Sequence, residues 1–249
     1  MWQRRNRHLI AKLATESDEV MSALRLRHRV FLRHGNNRLL DQNKEFDLDQ
    51  YENRAKHLVL IDRARLADGR SDYVVGTCRM IISDFRVGPQ QFYSNSEFIL
   101  DNLVCSPKRF LEVGRACIDA EYRAGEALFL LWKELINFLS KSKIDEVFGV
   151  ASFRGISPDQ FGDALTLLYF NYISKEIIVN ARPEGFVDLK QMSIDRVNFA
   201  KAKTQLPGLL KTYLSCGAWV ADGGFLDREL KTLDVFVCVG KTQILQKYG

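Results

Sequence analysis

The sequence predicts an α/β fold, a mixed sheet flanked by helices, on three observations. Short apolar strands and amphipathic helices alternate in the order strand, helix, two or three strands, helix, strand, helix, two strands. Phe110–Ile118 followed by Gly125–Lys141 reads as a strand–turn–helix unit. No internal repeat and no linker-like shift of composition interrupts the chain, so residues 1–249 are expected to form a single domain.

In chain order, His8–Ala14 alternates as a first strand. Thr15 or Ser17 can cap a helix running to Arg33, with acids in its first turn, arginines toward its end and Gly35 as its stop. Residues 36–56 are polar and lack the period of a packed element. His57–Ile61 and Tyr73–Ile82 are hairpin strands around an Asp68-Gly69 turn. Gly88-Pro89 opens an irregular or helical stretch through Leu103, and Pro107 precedes the central strand. Glu146–Ala151 is a strand, and Pro158 starts a helix to Ile173. Residues 174–204 are weakly patterned and are expected to be a helical insertion before the C-terminal helix and strands. Pro207 starts that helix, Ala218–Val220 and Leu233–Val239 are strands around Asp222-Gly223-Gly224, and a short helix ends at Tyr248.

Composition narrows the function classes. At 249 residues with 46% hydrophobic and 27% charged side chains, the chain can bury one sizeable core. No apolar run approaches the roughly 18 residues that a membrane span needs, and Met1–Arg7 carries the charges of a signal peptide without its apolar segment. Five scattered cysteines without a C-x-x-C read as reduced thiols of a cytoplasmic protein, and no metal site is expected. The net charge of +5 is concentrated at the start, where Arg4, Arg5, Arg7, Lys12, Arg25, Arg27, Arg29, Arg33 and Arg38 face only Glu16, Asp18 and Glu19. A basic end attracts anionic partners or is simply a solvated helix face, and no nucleic-acid motif accompanies it.

The chemistry belongs in the central unit. Glu112 and Arg115 stand where Leu111, Val113, Ala116 and Ile118 make a buried strand, and Gly114 between them marks a bulge or a close backbone approach. Charged residues rarely enter a core strand unless paired or functional.

The chain resembles the GNAT acyltransferase superfamily, and within it the L-ornithine N-alpha-acyltransferases of ornithine-lipid synthesis. The residues that carry the resemblance are Leu26–Phe31, Asp47–Glu52 with His57-Leu58, Val75–Arg79, Phe92–Phe98, Glu112–Arg115, Phe148–Phe153, Tyr213-Leu214, Gly217–Gly223 and Thr232–Phe236. Acyl-homoserine-lactone synthases are similar through the first half, up to Glu112 and Arg115. A CoA-dependent N-acyltransferase and a non-catalytic carrier- or lipid-binding module are the other readings.

The resemblance implies a GNAT-like sheet and transfer of a fatty (3-hydroxy)acyl group from acyl carrier protein to the α-amine of L-ornithine, giving lyso-ornithine lipid. It also implies residue roles. Glu112 is the candidate base, or else an ion-pair partner of Arg115 or Arg79, and Tyr213 is the candidate acid for the leaving thiolate. Val113, Gly114 and Arg115 would receive the thioester arm, with Arg123 and Gly125 in the phosphate-binding turn. That turn is poor in glycine and carries Asp119, Glu121 and Glu126, which favours a carrier-bound phosphopantetheine over the pyrophosphate of CoA. Asp47, Asp49 and Glu52 would receive the acceptor's ammonium groups and Arg79 its carboxylate, although surface acids in a solvated loop would look the same. No permanently bound cofactor is implied. An acidic carrier protein gives the arginine-rich start a purpose, and an amphiphilic product allows transient contact with the inner membrane face through Trp2 and its neighbouring arginines.

Overall fold

The computed structural model describes residues 8–34, 45–123 and 126–249, so the expectations for Trp2, the first arginines, Gly35 and Gly125 lie outside the described residues. The chain begins with β1 (Leu9–Leu13), α1 (Ser17–His34), β2 (Lys56–Asp62), α2 (Arg63–Ala67) and β3 (Val74–Ile82). It continues through β4 (Phe98–Ile99), α3 (Asp101–Val104), β5 (Phe110–Ile118), α4 (Ala127–Lys141), β6 (Glu146–Arg154) and α5 (Gly162–Tyr172). It ends with β7 (Asn180–Ala181), β8 (Phe186–Val187), α6 (Phe199–Gln205), α7 (Gly208–Ser215), β9 (Trp219–Val220), β10 (Gly224–Asp227), β11 (Thr232–Gly240) and α8 (Lys241–Tyr248). These elements gather into two compact units interleaved in sequence, one of residues 1–81 and 113–143, the other of residues 82–112 and 144–248.

In the first unit β2 pairs antiparallel with both β1 and β3. Glu19, in the first turn of α1, reaches back to accept hydrogen bonds from the amides of Thr15 and Glu16, which satisfies donors no helical carbonyl can reach. The apolar stripe Ala23, Leu26 and Val30 of α1 then buries against Val59, Ile61, Val74 and Cys117. Instead of a bare turn, the β2–β3 connection holds the short helix α2, because Asp62 accepts from the amides of Ala64 and Arg65. Gly76 is needed for packing: a Cβ there would stand 3.1 Å from Leu131 Cδ1 on α4 and 3.2 Å from Leu60 Cβ.

In the second unit β5 and β6 run parallel, and their register covers Phe110↔Glu146, Leu111↔Val147 and Glu112↔Phe148. β6 pairs antiparallel with β11 from Glu146↔Gly240 to Arg154↔Thr232. Where two C-terminal strands are expected there are three, since β9 and β10 both pair with β11. Phe148 and Phe236 anchor an aromatic core, with ring centroids 5.3 Å apart and Phe92, Phe98, Phe110 and Trp219 packed on them.

The expected insertion, 174–204, is tied into this unit. β7 pairs with β4, β8 pairs with β10, and Asp163 of α5 accepts from the Asn198 amide and meets Lys201 of α6 at 2.8 Å. Its elements are two-residue strands and a seven-residue helix, too short to leave a period in the sequence.

Candidate functional site

Glu112 is 3% exposed, at the last residue of β5 that pairs with β6. Its carboxylate is held by a 3₁₀ turn, Tyr93–Ser96. The Tyr93 amide donates to Oε2 at 2.9 Å, the Ser94 amide to Oε1 at 2.7 Å, and Ser94 Oγ to Oε1 at 2.5 Å. Phe92, fully buried edge-on against Phe148, fixes the start of that turn. The carboxylate therefore rests on donors supplied by rigid backbone. That is how a buried acid is aimed rather than merely tolerated.

The unusual backbone lies one residue beyond Gly114. Arg115 carries φ +50°, a left-handed conformation that is uncommon for a side chain other than glycine, Asn or Asp and costs about 1–3 kcal/mol. Gly114 borders open space, with nothing within 4 Å of where a Cβ would stand. Arg115 is held by Asp47 at 3.5 Å and Asp49 at 4.0 Å, and its guanidinium lies over the Phe31 ring.

Asp47, Asp49 and Glu52 do not form a solvated loop. Arg27, fully buried, meets Asp47 through Nε and Nη2, both at 2.7 Å, and Glu52 through Nη1 at 2.8 Å. Arg79 Nη1 meets Asp49 at 2.6 and 2.7 Å and Glu52 at 2.9 Å, while His57 Nε2 stands 3.1 Å from Glu52. Burial alone would raise the Glu52 pKa, but the His57 hydrogen bond, the Arg27 charge and Arg79 carry it down to about 2. Each carboxylate expected to receive the acceptor's ammonium groups already faces a guanidinium of the chain.

The turn expected to bind phosphate is similarly occupied. Asp119 meets Arg29 at 3.3 Å and Arg65 at 3.8 Å, and Glu121 meets Arg65 at 2.8 Å. Arg123 Nε donates to the Ile118 carbonyl at 3.1 Å. Three of the α1 arginines expected to steer a partner are engaged within the chain: Arg27 and Arg29 as above, and Arg25 over the Phe46 ring with Glu45 at 4.0 Å. Tyr213 is buried on α7, in the same unit as Glu112.

Sequence reasoning passes over one group altogether. Glu97, Asp227 and Asp234 bring one carboxylate oxygen each within 4.8 Å of one another, with Glu97 and Asp234 buried. The signal was present at Asp234, a carboxylate inside the apolar strand β11, just as it was at Glu112. A cavity of about 550 Å³ in the same unit, bordered by Lys108, Trp219 and Lys241, has none of these acids in its lining. Among the described residues no helix is long and apolar enough to cross a membrane.

The family described as an acetyltransferase (GNAT) domain matches residues 26–133, from α1 into α4. An L-ornithine N(alpha)-acyltransferase of Rhizobium meliloti is 32% identical over 246 residues, covering 97% of this chain and 83% of that protein. The enzyme of the same name from Rhodobacter capsulatus is 30% identical over 239 residues, covering 95% and 92%. Among solved structures, the CoA-dependent acyl-homoserine lactone synthase BjaI shares the fold, with a TM-score of 0.55 at 12% identity over 97% of this chain and 87% of that one. The fold is thus GNAT-like, as expected, and the chain belongs to the L-ornithine N(alpha)-acyltransferase family of amide-forming acyltransferases.

Proposed function

We propose that the protein transfers a 3-hydroxyacyl or other fatty acyl group from the phosphopantetheine thioester of an acyl carrier protein to the α-amine of L-ornithine, releasing lyso-ornithine lipid. The observation that carries the chemistry is Glu112, a carboxylate held by Tyr93 and Ser94 and followed along the chain by the stretch Val113–Arg115, in which Arg115 is left-handed. In this reading the thioester arm lies along that stretch, whose backbone N–H groups meet the developing oxyanion. The α-ammonium gives one proton to Glu112, directly or through water, and the amine attacks the thioester carbon. The C–N bond forms, the C–S bond breaks, the thiolate takes a proton from Tyr213, and the second amine proton leaves to solvent.

A carrier-bound donor is supported by the turn after β5. Arg29 and Arg65 are committed there to Asp119 and Glu121 rather than left for a pyrophosphate. The amphiphilic product suits a cytoplasmic enzyme that touches the inner membrane surface transiently.

The test is thiol release from acyl carrier protein thioester with L-ornithine, beside an acyl-CoA arm. Ornithine-dependent release is expected with the carrier donor, and release no faster than the ornithine-free background would overturn the reading. Glu112→Gln keeps the shape of the side chain and removes the base, so kcat is expected to fall ~10²–10⁴-fold.

A further inference from the structure

Among the described residues no Lys, Arg or His makes an ion pair with Glu97, Asp227 or Asp234 within 4.0 Å. Asp227 Oδ1 accepts from the amides of Glu229 and Leu230, the Tyr93 hydroxyl serves the Glu97 side chain, and the Ser152 hydroxyl serves that of Asp234. Arg182 spends its Nε on the Asn95 carbonyl and its amide on the Glu97 carbonyl. Two oxygens remain that are buried and without a hydrogen-bond partner, Glu97 Oε2 and Asp234 Oδ1. Burial and the neighbouring like charges raise the pKa of both groups, that of Asp234 to about 6.

Buried polar atoms are nearly always paired, and leaving one unpaired is costly. Two in one cluster, both carboxylate oxygens, mark a place built for a cation. Its position bears on the reaction. Glu97 directly follows the Tyr93–Ser96 turn that holds Glu112, and the Glu112 charge is among those acting on Glu97. The spacing suits an ammonium group. Acceptors about 2.8 Å from one nitrogen, at tetrahedral angles, stand about 4.6 Å apart, inside the 4.8 Å that bounds these oxygens. A divalent metal ion would ask for about six oxygens at about 2.0–2.6 Å, and three carboxylates supply half of them.

We infer that Glu97 and Asp234, with Asp227 at the rim, bind the distal ammonium of the diamino-acid acceptor and so select ornithine over amino acids with an uncharged side chain. The inference rests on the acceptor class proposed above. The two unpaired oxygens are the counter-charge that side chain needs, and a buried polar site left empty by the wrong substrate discriminates strongly.

The test compares L-ornithine with L-norvaline, which has the same carbon chain and no distal ammonium, using one acyl thioester donor. In the wild-type enzyme ornithine is expected to be preferred at least 100-fold in kcat/KM. In Glu97→Gln and Asp234→Asn that ratio is expected to collapse at least tenfold, chiefly through KM for ornithine. A ratio unchanged in both variants would overturn the inference while leaving the acyl transfer intact. Wild-type protein that acylates neither amine would overturn both. Should either variant fold poorly, the wild type alone decides: ornithine must raise its melting temperature at concentrations where norvaline does not. Equal shifts, or a shift produced by Mg²⁺ or Ca²⁺ and lost in Asp234→Asn, would assign the cluster differently.

Discussion

Two buried acidic clusters sit in this chain, and they are built in opposite ways. Around Asp47, Asp49 and Glu52 every carboxylate meets Arg27, Arg79 or Arg115, and Glu52 meets His57 as well. Around Glu97, Asp227 and Asp234 no Lys, Arg or His among the described residues makes an ion pair, and hydroxyls and backbone amides stand there instead. The first cluster joins α1, the segment before β2, β3 and the strained residue of β5 by charge, which makes it part of the fold. The second leaves its charge unspent, at a cost in stability that only a function explains. Burial in both raises the same question, and the counter-ion answers it differently.

The largest effect that could break this contrast is on stability. Replacing Arg27 by Met removes a guanidinium that both Asp47 and Glu52 face and leaves buried carboxylates short of charge. A loss of about 3–5 kcal/mol in urea unfolding is expected. A loss under about 1 kcal/mol would mean that the first cluster is decoration.

Asp234→Asn should act the other way. It removes a desolvated charge that no Lys, Arg or His among the described residues pairs with, so the ligand-free protein is expected to gain stability at neutral pH, by up to about 3 kcal/mol on its raised pKa of about 6. A net destabilisation would show that the carboxylate is structural.

The smallest effect is the most diagnostic in sign. Asp234 faces Glu97, Asp227, Ser152 and Thr232. Its folded pKa of about 6 lies above the ordinary carboxylate range, so its contribution is complete below pH ~4 and is lost as pH rises through about 6. Glu52 faces Arg27, Arg79 and His57, and its folded pKa of about 2 lies below that range. Its contribution is complete above pH ~5 and is lost as pH falls toward 2. Unfolding free energies of Asp234→Asn and Glu52→Gln, each subtracted from wild type across pH 3–7, should therefore slope oppositely. Parallel slopes would erase the distinction.

Much of this was legible before any coordinates. Periodicity located α1, the hairpin β2–β3, the unit β5–α4 and the strand β11, because each is long enough to show its period. Glu112 stood out because a carboxylate interrupts an apolar strand. Asp234 interrupts β11 in the same way and could have been read by the same rule. Glu97 could not, since Ser94-Asn95-Ser96-Glu97 has the composition of a turn, and only the tertiary fold buries it. Nor does composition tell that the arginines of α1 belong to Asp47, Glu52 and Asp119, so a basic helix looked free to meet a partner. The strain at Arg115 was displaced by one residue from the glycine that pointed to it, because the left-handed turn is enforced there by Asp47, Asp49 and Phe31 rather than permitted by a missing side chain.

The grip on Glu112 draws on main chain as well as side chain: the amides of Tyr93 and Ser94 both donate to it, beside the Ser94 hydroxyl. Alanine scanning at Tyr93 and Ser94 would strip side chains and leave those amides in place, so a tolerant result there would say little about whether the grip matters. Proline, which deletes an N–H, or a backbone ester introduced by chemical synthesis, which replaces the amide with an oxygen, would interrogate it directly. The acid is thus guarded by the path of the chain more than by the letters along it, and sequence drift through this turn can leave the grip intact as long as the path is kept.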